Sequence, residues 1–170
     1  PTNTTTTPAA PTISSITPSD GTLSVAFTAG SNGGATITNY EYSTSTDNGS
    51  TWSSWIVRLP VSTTSPLSIG SLTNGTTYLV KIRAVNSQGS GTASSSSSGT
   101  PAGSPSAPSG VTATQKNLSF DVSWTAPTST NGSSISGYKI EYQVNSAGAW
   151  AVASSNTNST SLMYTFSKLS

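Results

Sequence analysis

The sequence predicts an all-β chain of two tandem sandwiches, the second lacking its last two strands, and three observations carry that prediction. First, the chain repeats itself: Phe27 and Trp124, Val25 and Val122, Tyr40 and Tyr138, Trp52 and Trp150, and Leu72 and Leu169 correspond at offsets of 97 or 98 positions. A period of that size is a whole domain, and each copy is long enough to bury its own core. Second, apolar residues alternate with polar ones in several segments, and nowhere do they recur at helical spacing over three turns. Third, the first copy runs past Leu72 into Asn74-Gly75 and then Tyr78, Val80, Ile82 and Ala84, while the second stops one residue after its landmark leucine. The natural polypeptide is therefore expected to continue by about 28 residues or more. Without them, an inner apolar face that includes Trp124 and Ile140 is expected to be exposed.

The elements follow in order. Residues 1–10 are rich in proline and threonine and read as an extended linker. The first domain is assigned to residues 11–101. Within it Leu23, Val25 and Phe27 alternate with Ser24 and Ala26, as in a half-buried strand, and Tyr40 and Tyr42 flank Glu41 in the same way. Asn48-Gly49 marks a hairpin, because both residues accept the positive φ of a tight turn. A further strand is expected from Pro66 to Leu72. The strongest strand pattern follows Asn74-Gly75, with Tyr78, Val80, Ile82 and Ala84 on one face and Leu79, Lys81, Arg83 and Val85 on the other. A weakly patterned edge strand is expected around Gly91 to Ser97. Residues 102–107 repeat the chemistry of the opening run and read as a second linker, so both ends look like cuts through a longer array. The second domain, residues 108–170, offers strands at Phe120 to Trp124, Tyr138 to Tyr142, near Trp150, and from Leu162 to Leu169, four or five of seven.

Composition removes several function classes. The chain has no cysteine and no histidine. A disulfide framework, a thiolate metal site, a cysteine nucleophile and the commonest general base are thereby excluded. Charged residues make up 6% of the chain and its net charge is +1, too little to sustain binding to nucleic acid. No apolar run approaches the roughly 18 residues that span a bilayer, so no membrane insertion is expected. The polar surface is built from serine, threonine, asparagine and glycine, a composition more typical of exported or virion-exposed modules than of cytosolic enzymes.

The residues resemble fibronectin type III domains, particularly the low-charge versions of bacterial secreted proteins and tailed-phage structural proteins. The resemblance rests on Pro11 and Pro108 opening each unit, on Phe27 and Trp124 at the end of the second strand, and on the tyrosine-rich third strand. It is completed by Leu72-Thr73-Asn74-Gly75-Thr76-Thr77-Tyr78 and by Val80, Ile82, Ala84 and Asn86. The leucine-to-tyrosine segment matches a tyrosine corner, in which the Tyr78 hydroxyl bonds back to the backbone near Leu72. The fold implied is an immunoglobulin-like sandwich. The function implied is a structural spacer in a large extracellular, cell-surface or virion-surface protein, whose partners are neighbouring domains or subunits. The alternative is an accessory or glycan-binding module of a secreted polysaccharide-degrading enzyme.

Candidate surface residues are few. Trp52 and Trp150 hold matching places and read as packing beside the hairpin. Trp55 has Ala153 as its counterpart, so the fold does not require an aromatic there. Its indole, near Arg58, either covers the sheet edge or stacks on a sugar or a neighbouring subunit. Glu41 is expected to form an exposed ion pair with Lys81 or Arg83 across the strands. Lys81 falls on the wrong face for a buried isopeptide bond. Asn3, Asn48, Asn74, Asn117, Asn131 and Asn158 each begin an Asn-x-Ser/Thr pattern, as expected by chance in so hydroxyl-rich a chain. No catalytic group, cofactor or metal is expected.

Overall fold

The computed structural model describes residues 4–144 and 148–167, so Asn3 and the landmark Leu169 lie outside the described residues. All regular structure among the described residues is strand, and the chain divides into two compact units at Gly103/Ser104.

In the first unit one sheet is built from β1 (Thr12–Ser19), β2 (Thr22–Thr28) and β5 (Leu67–Ile69), in the order β1-β2-β5. The other contains β3 (Asn39–Ser45), β4 (Ile56–Val57), β6 (Tyr78–Asn86), β7 (Gly89–Ser90) and β8 (Ser97–Gly99). Its order is β4-β3-β6-β7, and β8 also pairs with β6. The last strand expected near Gly91 to Ser97 is thus two short pieces. Between them Ser94 bonds to Ile82 through both its backbone nitrogen and its hydroxyl.

The period-two pattern sets the core. Leu23, Val25 and Phe27 face Leu67 and Ile69 of the same sheet and Tyr40, Val80, Ile82 and Ala84 of the opposite one, all buried. Burying each large aliphatic side chain here contributes about 1.5–3 kcal/mol. Phe27 meets Tyr40 across the sheets with ring centroids 4.5 Å apart. Burial holds the Tyr40 phenol above its ordinary value of 10, and the nearby Arg58 guanidinium pulls the other way. The tyrosine corner forms as expected: the Thr73 N–H donates to the Tyr78 hydroxyl at 3.1 Å. Asn48 and Gly49 both take positive φ at the tip of the hairpin, and the Ser50 N–H closes the turn onto the Asp47 carbonyl.

Residues 4–10 contain no strand, yet the expected linker is not free chain. Pro8 is fully buried, Thr6 and Ala9 donate to the carbonyls of Gly33 and Ser31, and Asn86 donates to the Thr6 carbonyl. Gly33 is required there, since a Cβ would lie 2.3 Å from the Thr6 carbonyl oxygen. The second linker behaves alike: the Ser106 N–H donates to Ser129, and Ala102 donates back to Ser19 of the first unit. A proline–threonine segment that docks along a sheet edge has the same composition as one that floats in water.

The second unit repeats the plan, with five strands among its described residues. Strands β9 (Ser109–Lys116), β10 (Ser119–Thr125) and β13 (Met163–Ser167) form one sheet, ordered β13-β10-β9, and β11 (Ile140–Tyr142) pairs with β12 (Ala151–Ser154) in the other. Trp124 and Tyr138 reproduce the aromatic pair at 4.9 Å. The expected exposure of Trp124 and Ile140 is not found: they are 7% and 8% exposed, because Tyr138, Ile135 and Tyr164 close that part of the core. Solvent reaches other positions instead. Val111 and Val144 are strongly exposed, and Trp150, expected to pack like Trp52, is 65% exposed.

The β9–β10 turn places Leu118 at φ 56, where the first unit has Gly21 at φ 59. A leucine there costs about 1–2 kcal/mol relative to the right-handed region. Leu118→Gly is therefore expected to stabilise the second unit, and Gly21→Leu to destabilise the first, each by about 1 kcal/mol in denaturant melts. Opposite signs would contradict the turn geometry.

Candidate functional site

The outer face of the β4-β3-β6-β7 sheet gathers three of the six charged residues of the first unit, Glu41, Lys81 and Arg83, and both of its tryptophans. It is built by register. Glu41 lies opposite Arg83 and Ser43 opposite Lys81 on neighbouring strands, so all four side chains point away from the core. The hairpin then folds Trp52 and Trp55 back over them. Lys81 Nζ sits 4.0 Å from the centre of the Trp52 ring and 5.4 Å from that of Trp55, and the Arg83 guanidinium carbon sits 4.2 Å from the Trp55 ring. Each such cation–π contact is worth about 0.5–2 kcal/mol depending on its desolvation. The expected ion pair is made by Arg83, whose Nε lies 2.6 Å from Glu41 Oε2, and Ser90 donates to the same oxygen. Lys81 turns to the indoles instead. Ser43 and Ser45 are buried beneath this layer.

Trp52 is seated by its own turn. Its Nε1 donates to the Gly49 carbonyl at 3.1 Å. The Asp47 carboxylate holds the turn closed by accepting from the Thr51 hydroxyl, the Thr51 N–H and the Ser45 hydroxyl. These hydrogen bonds to Thr51 first, and then to Ser45, hold the Asp47 carboxyl at a pKa of about 2, below its ordinary 3.8.

The two residues singled out from sequence part company. Trp55 is half-buried, with a face engaged by Arg83 rather than by Arg58. Arg58 instead clamps the loop after β4. Its Nη1 donates to the carbonyls of Ser62 and Thr64 at 3.2 and 2.5 Å, and its Nη2 donates to Pro66 at 3.0 Å. Asn39 reinforces the clamp by donating to the Arg58 carbonyl and accepting from the Ser62 N–H. A guanidinium satisfies three carbonyls in one plane, as an ammonium does not. Beside Trp55 runs an exposed apolar edge, with Ile56, Val57, Leu59 and Val61 at 40%, 51%, 78% and 64% exposure. The partnership of Trp52, Lys81 and Arg83 with Trp55 was missed in the sequence, although the alternation of β6 already placed both cations on one outward face.

In the second unit Lys116 pairs with Asp121, and the Thr165 hydroxyl donates to the same carboxylate. Lys116 first and Thr165 second hold the Asp121 carboxyl below its ordinary range. No group of three or more acidic side chains able to hold a metal occurs among the described residues. Nor is any helix among them long and apolar enough to cross a membrane.

Two sandwiches, the first with a tyrosine corner, define a class of protein built from immunoglobulin-like modules. The family model "Fibronectin type III domain" matches residues 6–100 and 106–170, and the chain belongs to that family. No curated protein matches the chain. Among solved structures it is similar to the chicken CNTN1 FN1-FN3 domains, with 18% identity over 96% of this chain and 56% of that one, at a TM-score of 0.49. It is also similar to domains A168-A170 from titin, with 20% identity over 55% of this chain and 32% of that one, at a TM-score of 0.45. A structure described as a myokine is 20% identical over 56% of this chain and 99% of that one, at a TM-score of 0.44. The chain thus spans about half the length of the first of these structures and a third of the second. Fibronectin type III domains commonly serve as structural or linker modules in multidomain proteins and are generally non-catalytic.

Titration of Asp47 tests how the hairpin tip holds Trp52. Its folded-state pKa lies below that of the unfolded chain, so its contribution is complete above pH 3.8 and is lost as pH falls through about 2. NMR titration of the Asp47 carboxyl carbon is expected to give a midpoint of about 2, accompanied by a change in Trp52 indole shift that Asp47→Asn abolishes. A midpoint at the ordinary 3.8 would contradict the bonding described.

Proposed function

We propose that this chain is a non-catalytic spacer or decoration module of a large extracellular or virion-surface protein, such as a phage structural or fibre protein or a cell-surface filament. The observation that carries the reading is the tandem repetition of one sandwich, each copy with its own interlocked aromatic pair between the sheets. A repeated, independently cored module extends a polypeptide without asking anything of its surface. The surface chemistry supports the same reading. Its hydroxyl groups and amides hold water without long-range fields, and the few charges largely neutralise one another locally, as Glu41 with Arg83 and Lys116 with Asp121 do.

The partners of such a module are neighbouring domains or subunits. Trp55 and the exposed edge of Ile56, Val57 and Leu59 form the surface we assign to that contact, with Arg58 fixing the loop that presents it. In the accessory-module alternative, the same indole would stack on a sugar. Arg83 already occupies a face of the ring, which favours a protein contact over a glycan.

Retention on a panel of insoluble glycans separates the two readings, with Trp55→Ala and Arg58→Ala as comparison chains. The spacer reading expects no retention by any of the three. Retention of the native chain that Trp55→Ala abolishes would overturn it in favour of the sugar-binding module.

A further inference from the structure

The chain contains four Asn-Gly pairs, at residues 32–33, 48–49, 74–75 and 131–132. In such a pair the backbone nitrogen of the glycine can attack the side-chain carbonyl carbon of the asparagine, because no Cβ on the second residue stands in the way. The reaction needs a carboxamide free to turn and a glycine nitrogen free to reach it. The fold sorts the four pairs on the first requirement. Asn74 is held at both ends of its carboxamide, its Oδ1 accepting from the Gly21 N–H at 2.8 Å and its Nδ2 donating to Asp20 at 2.6 Å. Its nucleophile is held as well, since the Gly75 N–H donates to the Pro101 carbonyl. Asn32 Oδ1 accepts from the Gly34 N–H at 2.9 Å, and Asn131 Nδ2 donates to the Ser104 carbonyl at 3.2 Å. Asn48 differs: it is exposed, and its carboxamide makes no hydrogen bond among the described residues.

Asn48 stands at the tip of the hairpin between β3 and β4 with φ 57, and Gly49 follows at φ 87. The backbone bond that closes this turn is long, from the Ser50 N–H to the Asp47 carbonyl at 3.3 Å. What restrains the nucleophile is Ser45. Its Oγ accepts from the Gly49 N–H at 2.9 Å, and Ser45 is itself buried, so water competes little for the contact. A nitrogen held in this way points at the hydroxyl rather than at the Asn48 carboxamide. Local opening of the tip frees it.

We propose that Asn48 is the deamidation site of this chain and that Ser45 sets its rate, an inference that goes beyond the spacer reading. In the first step the Gly49 nitrogen loses its proton and bonds to Cγ of Asn48, the Cγ–Nδ2 bond breaks, and ammonia leaves with that proton. Water then opens the cyclic imide. Addition at Cγ gives aspartate with the backbone as before, whereas addition at the Asn48 main-chain carbonyl gives isoaspartate, whose backbone runs through the side chain and is longer by a methylene. Nothing is oxidised or reduced. The longer tip displaces Gly49, whose carbonyl seats the Trp52 indole, and with it the ring that Lys81 covers. The tryptophan layer of the first unit therefore loosens as the protein ages.

Peptide mass mapping of the full chain, aged in warm and mildly alkaline buffer, tests the assignment without any substitution. Asn48 is expected to convert at least about fivefold faster than Asn32, Asn74 or Asn131, the factor that one hydrogen bond supplies. Ser45→Ala is expected to speed conversion at Asn48 by about fivefold and to leave Asn74 slow, while Ser45→Thr, which keeps the hydroxyl, converts at the native rate. Asn74 monitors folding, because its carboxamide is released when the unit unfolds; if Ser45→Ala releases it, the order of the four pairs in the native chain decides. In the isoaspartate fraction the Trp52 indole N–H resonance is expected to move, and in Asn48→Asp to keep its place. Conversion first at another pair, or a folded Ser45→Ala chain that converts at the native rate, would overturn the proposal. So would an isoaspartate fraction whose Trp52 resonance is unmoved.

Discussion

The inner and outer layers of the first unit both depend on the strand Tyr78–Asn86. Its inward side chains, Val80, Ile82 and Ala84, complete the core begun by Leu23 and Val25. Its outward ones, Lys81 and Arg83, carry the two indoles and the ion pair with Glu41. Its first residue makes the tyrosine corner, and Asn86 near its end ties down both the leader at Thr6 and the loop at Asn32. A period-two pattern permits this, because each step along the strand serves the opposite layer.

The described residues of the second unit include no counterpart to this strand. The aromatic pair between the sheets survives, Trp124 against Tyr138, and around it a small core closes with Ile140. The rest loosens by degrees. Pro105 and Pro108 are exposed where Pro8 and Pro11 are buried, and the whole of β9 is exposed where Ile13 and Ile16 of β1 are partly covered. The indole nitrogen of Trp124 is buried without a hydrogen-bond partner, a cost the first unit avoids by using phenylalanine at that place.

Much of the fold was legible in the residues, for a physical reason. Strands β2 and β6 each separate a buried face from a more solvated one, and that demand writes itself into alternation; the outward face of β3 is covered in turn by the tryptophan layer. Strands β1 and β9 run along sheet edges with few inward contacts, so Thr12–Ser19 and Ser109–Lys116 leave no comparable trace. The docking of Thr6 to Ala9 was hidden because it rests on backbone hydrogen bonds and a buried proline, which composition alone does not distinguish from free linker. The surface site was half legible. Trp55 stood out, but the partner of its ring is set by strand register, not by nearness in sequence, so Arg83 takes the place expected for Arg58. Trp150 misled because equivalence of position is not equivalence of burial: what covers Trp52 is another strand.

Native-state hydrogen exchange of the whole chain tests most directly whether β6 is what closes the sandwich. The amides of β2, β3 and β6 are predicted to exchange only through global opening of the first unit, at least about a hundredfold more slowly than those of β10 and β11. Equal protection of β3 and β11 would contradict the account.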